Sequence, residues 1–153
     1  MTKKKRAKRI TWHIPWRTEL LVKLALARVG SLRVCTFSDE NDDLLVVTDQ
    51  GFCFFVVSQG FSSLATDQDG IDGTKELIVP CEHGLIERAH RYRNPVVLFY
   101  FNADTDHGRY LRLDTLPDNT EELHLPIENT INKASVQKLI REMQAAPSTR
   151  RAS

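Results

Sequence analysis

The sequence predicts a single α/β (α+β) domain with a mixed central β-sheet flanked by helices, and three observations carry that expectation. Apolar residues recur at helical spacing in separated segments, short runs between them are almost wholly apolar, and turns bearing glycine or proline divide the two kinds of segment. A near-continuous apolar run of strand length implies cover on both faces, because a half-exposed sheet alternates. Helices are therefore expected on both sides.

The elements follow in order. Residues 1–11 hold Lys3, Lys4, Lys5, Arg6, Lys8 and Arg9 without apolar periodicity and read as a basic flexible tail. Pro15 suits a first helical turn. Beyond it Leu20, Leu21, Leu24, Ala25 and Ala27 recur at helical spacing up to Gly30, a natural C-terminal cap, and are expected to form the buried stripe. Residues 32–37, 43–48 and 52–57 read as strands, the last two joined by the tight turn Asp49-Gln50-Gly51. A loop rich in Gly, Ser and Asp covers 60–74. A second helix is expected over 81–92 with Leu85, Ile86 and Ala89 inward, stopped by Asn94-Pro95. Residues 96–101 make the strongest strand, pairing with 109–113, and a short strand follows at 122–125. The last helix starts near Asn132 and sets Val136, Leu139, Ile140 and Met143 on one face. The domain thus spans 12–144, and 145–153 is a second tail.

At 153 residues, 41% hydrophobic and 27% charged, the chain has the size and composition of one soluble domain closing one core. A net charge of +1 names no partner in bulk. No apolar run approaches the roughly 20 residues that span a bilayer, and no hydrophobic segment of signal-peptide type follows the basic start. Three scattered cysteines, Cys35, Cys53 and Cys81, read as free thiols in a reducing cytoplasm. The chain lacks both G-x-G-x-x-G and a P-loop, so a nucleotide cofactor is not expected. The acidic stretch 67–73 fails as a calcium loop, with Asp72 where a glycine belongs and Ile78 where the closing glutamate belongs. Cys81, His83 and His90 lack the spacing of a structural zinc site.

Four features taken together suggest a family: an acid early in the first helix (Glu19), a hairpin opening on an acid (Asp43), a glycine turn, and a buried strand. Over residues 17–101 this order resembles the core of the PD-(D/E)XK nuclease superfamily. The resemblance implies a metal-ligating role for Asp43, with Glu19 as the helix-borne acid and Mg²⁺ as the ion of an active enzyme. It also implies nucleic acid, above all DNA, as partner, and homodimers are common in the family. Carried along the hairpin, the (D/E)XK triplet falls on Val56-Val57-Ser58, which lacks both the acid and the lysine. Valine offers Mg²⁺ no side-chain oxygen and serine no positive charge; each such group is worth about 100- to 10,000-fold in rate. Gln59 follows Ser58 but alternates to the opposite face unless a bulge intervenes. Lys75 and Glu76 are the other groups from which a relocated site could be built.

Three functions therefore stand: a nucleic-acid-associated protein with a degenerate site, an active endonuclease rearranged around Glu19, Asp43, Ser58 and Gln59, and a protein-interaction module. The basic tail and the cluster Arg88, Arg91 and Arg93 are the candidate phosphate contacts. A plain reading competes for each acid. Glu19 and Lys23 form an i,i+4 pair, and Asp43 ends an acidic run of the kind found solvated at strand entries.

Overall fold

The computed structural model describes residues 13–36, 43–61 and 76–145. The basic tail, the acidic loop 67–73, Lys75 and residues 146–153 lie outside them. Helix α1 (His13–Ala27) leads into strands β1 (Leu32–Thr36), β2 (Leu44–Thr48), β3 (Cys53–Phe61) and β4 (Leu77–Pro80). Helix α2 (Leu85–Arg91), strands β5 (Val96–Asn102), β6 (Gly108–Arg112) and β7 (Glu122–Leu125), a 3₁₀ turn (Ile127–Asn129) and helix α3 (Lys133–Ala145) complete the order. The main sheet runs β1-β2-β3-β5-β6, antiparallel throughout except for the parallel pair β3–β5, while β4 and β7 form a separate antiparallel ribbon.

Local chemistry sets the boundaries. Gly51 takes φ +84° in the hairpin turn, closing it through its N–H to the Thr48 carbonyl at 3.0 Å, as the left-handed position of a three-residue loop requires. Asn132 caps α3 reciprocally: its Oδ1 accepts from Ser135 N at 2.9 Å and Ser135 Oγ accepts from Asn132 N at 2.9 Å.

Both sheet faces are covered, as the apolar runs require. Leu44, Val46, Phe54, Val56, Val97 and Phe99 meet Val22 and Leu26 of α1 and Val136, Leu139 and Met143 of α3. Phe55, Val57, Val96 and Leu98 meet Leu85, Ile86 and Ala89 of α2 together with Val79, Leu123 and Leu125 of the β4–β7 ribbon. The strand Leu77–Pro80 was not expected. Its four residues are too short to show a period, and it exists because β7, 42 or more residues away in sequence, pairs with it from Leu77↔Leu125 to Pro80↔Glu122.

The rotation of α1 also differs from expectation. Thr18, Val22, Ala25 and Leu26 point inward, whereas Leu20, Leu24 and Ala27 face solvent. Two contacts fix that rotation. Thr18 packs where a Cβ on Gly60 of β3 would sit, and Arg17 donates to Ala103 O at 2.7 Å and Asp106 Oδ1 at 2.6 Å in the β5–β6 turn.

Gly60→Ala tests this seat. Its new methyl would lie 2.3 Å from Thr18 Oγ1 and 2.8 Å from the Phe101 carbonyl oxygen, so a side chain and a backbone group both oppose it. Chemical denaturation should show a loss of about 1–3 kcal/mol, and Thr18→Gly should recover only the part due to the side chain.

Candidate functional site

The hairpin register decides which side chains share a face with Asp43. Leu44 pairs with Val56, and continuing that register by one residue sets Asp43 opposite Val57. Leu44 and Val56 face α1, whereas Val57 faces α2. Asp43 is bonded by two α2-side residues, so it shares the face of Phe55, Val57 and Gln59. Pairing of β3 with β5 is unbroken from Phe55 to Phe61, so no bulge changes this parity. The position opposite the acid is thus Val57, one residue later than the sequence reading placed it. Two residues further on the same face stands Gln59, while Ser58 turns to the other side.

Asp43 is fully buried, not a solvated strand-entry acid. Tyr92 OH donates to its Oδ2 at 2.7 Å, and Arg88 Nη2 approaches its Oδ1 at 3.4 Å. The Tyr92 ring stacks on Phe55 with centroids 4.0 Å apart, which fixes the hydroxyl beneath the strand entry. Burial, the hydrogen bond to Asp43 and its negative charge push the Tyr92 phenol up to about 12. Both carboxylate oxygens are therefore occupied. Arg88, expected among the phosphate contacts, is turned inward onto this acid, while Arg91 and Arg93 remain exposed.

The other candidates lie apart. Glu19 sits on α1, across the sheet, and pairs with Lys23 at 2.9 Å. Glu76 meets His124 at 3.0 Å on the β4–β7 ribbon. Gln59 Nε2 donates to Glu82 Oε1 at 3.4 Å. These two line an open cleft of about 440 Å³ with Ser58, Gly60, Cys81 and Tyr100 at the carboxyl-terminal halves of the parallel strands β3 and β5, where open α/β sheets hold ligands. Among the described residues, no three His, Cys, Asp or Glu side chains converge as metal ligands. The described residues around Asp43 do not fit Mg²⁺: Val57 supplies no oxygen, and both oxygens of Asp43 already serve Tyr92 and Arg88.

Two strand arginines serve the fold. Arg109 is fully buried, donating to Leu125 O at 2.7 Å, and desolvation holds its guanidinium below the usual range. Arg112 grips Asp114 with two bonds of 3.1 and 2.6 Å. Sequence reasoning missed Tyr92 as partner of Asp43 and Glu82 as partner of Gln59; residues 49 and 23 apart carry no local signal of contact. Cys35, Cys53 and Cys81 are free thiols, and no described helix is long and apolar enough to cross a membrane.

Two measurements check the buried acid. Asp43→Ala leaves Arg88 and Tyr92 facing a void and should cost about 3 kcal/mol in denaturation, where a solvated acid would cost under about 0.5. The phenol of Tyr92 is raised in the folded state above its unfolded value of 10.0, so the fold binds that proton more tightly. Its stabilising contribution is complete below about pH 10 and is lost as pH climbs toward about 12. Tyr92→Phe should cost about 1–2 kcal/mol at neutral pH and flatten the alkaline limb of the stability profile.

Comparison with family models, with curated proteins and with solved structures returned no match for this chain.

Proposed function

We propose that the chain is a nucleic-acid-associated protein of PD-(D/E)XK nuclease descent whose catalytic position has become a structural one. The element order supports the descent: a helix, an antiparallel three-strand meander, a crossover bearing a helix on the opposite face, and a strand parallel to the third. One observation carries the loss of cleavage. The acid at the hairpin entry is closed off by Tyr92 and Arg88, and the same face of β3 offers Val57 and Gln59 in place of an acid and a lysine. Gln59 can hydrogen-bond a phosphate but carries no charge to stabilise one.

Binding would then rest on charge. Arg91 and Arg93 project from the end of α2, and the six cations of residues 1–9 supply the rest of the electrostatic contact. Such contacts hold a backbone without reading bases, so this reading expects salt-sensitive affinity with little sequence preference.

Mobility shifts on double-stranded, single-stranded and branched DNA test the reading, with RNA as a parallel probe. Deleting residues 1–10 should flatten the dependence of log K on log salt by up to about 5 units. The double change Arg91→Ala and Arg93→Ala should weaken binding uniformly across sequences. Incubation with Mg²⁺ or Mn²⁺ should yield no cleavage products. Cleavage abolished by Asp43→Ala overturns the loss of catalysis, and no binding at low salt overturns the reading as a whole.

A further inference from the structure

The outward face of α1 carries an apolar row that is exposed among the described residues. Trp16, Leu20 and Leu24 are 66%, 46% and 48% exposed, and they stand four residues apart, so they form one continuous ridge on the helix surface. Arg28 extends the row by one more step, is exposed, and has no side-chain partner among the described residues. Glu19 and Lys23 flank the ridge as an ion pair.

We infer that this ridge is the contact of a symmetric homodimer, with α1 of a second copy crossing it antiparallel. The order of residue types is the argument. Reversing the row Trp16-Leu20-Leu24-Arg28 against itself sets Leu20 on Leu24 of the other copy and Trp16 on its Arg28. A two-fold contact needs such self-complementarity, and guanidinium over indole is a favourable pair. In that register Glu19 of one copy falls opposite Ala25 of the other, two residues from its Lys23, so opposite charges stand near each other on the shared flank.

The surface beside the ridge is indented. The row drifts around α1 toward its C-terminal end, where Leu21, Leu24, Ala25 and Arg28 border a small cleft of about 60 Å³ closed by Ile131 and Lys133. Under the two-fold, the leading edge of the partner's indole enters that cleft. A nucleic-acid occupant fits less well: Leu20 and Leu24 give a phosphate backbone nothing to bond, and only Trp16 could stack on a base.

One crossed helix pair covers less than the roughly 800 Å² per partner of a standard stable interface, so the dimer is weak, with a dissociation constant on the order of 10 µM or above. The inference does not depend on nuclease descent. Sedimentation equilibrium of the full chain from about 5 µM to 1 mM tests it. The native protein should pass from monomer to dimer, and Leu20→Glu should weaken association at least about 30-fold while leaving the thermal midpoint and far-ultraviolet circular dichroism unchanged. Trp16→Ala gives a second, uncharged break. Arg28→Glu should also weaken the dimer, by removing the cation over the indole. In a Trp12→Phe background, Trp16 emission should shift to the blue with concentration. A protein monomeric to 1 mM overturns the inference. So does a dimer indifferent to Leu20→Glu and Trp16→Ala, and so does loss of DNA binding on Leu20→Glu without any change in association.

Discussion

The carboxylate of Asp43 sits at the entry of β2 with no access to water, and the packing around it follows from that burial. A buried charge must be met by donors, and both donors come from the segment formed by α2 and the residue after it. Tyr92 reaches it only because its ring lies flat on Phe55, which fixes the end of α2 against the β2–β3 hairpin. The pair thus joins the hairpin to the crossover connection leading into the parallel strand β5. Arg88 completes the closure at 3.4 Å, long for a charge-assisted bond, so Tyr92 at 2.7 Å is the stronger of the two.

Burial of that acid sets the chemistry open to the sheet end. A metal-dependent hydrolase needs its acid half-free, with oxygen donors converging on one point. Here the acid is spent on the fold, and Val57 across the hairpin extends hydrocarbon beneath it. Gln59 and Glu82 bond each other along a cleft at the carboxyl ends of β3 and β5. That cleft lies where open α/β sheets hold ligands, and among the described residues no three His, Cys, Asp or Glu side chains converge as metal ligands.

The two sides of the sheet are built differently. On one side α2 and the β4–β7 ribbon bury Asp43 and the apolar residues around it. On the other, α1 and α3 cover the sheet, and α1 is drawn in by the absence of a side chain at Gly60. That close approach rotates Thr18 inward and sends Leu20 and Leu24 outward, although both looked like core from their spacing. The exposed ridge is thus the counterpart of the tight seat at Gly60.

The sequence by itself determined the elements other than β4, and their two-sided cover. The apolar runs of β2, β3 and β5 can be stable only when sheathed on both faces, and the glycine turn and the Asn132 cap act within a few residues of chain. It also singled out Asp43 as the acid opening the hairpin. Only the tertiary structure decided what that acid meets. A one-residue change in where a triplet is placed on a strand exchanges faces, and so put Val57 and Gln59, in place of Val56 and Ser58, on the side of Asp43. Tyr92, the pairing that creates β4 and the rotation of α1 were hidden for the same physical reason. Each is set by contact between segments far apart in the chain, and periodicity registers only what neighbours along the backbone impose.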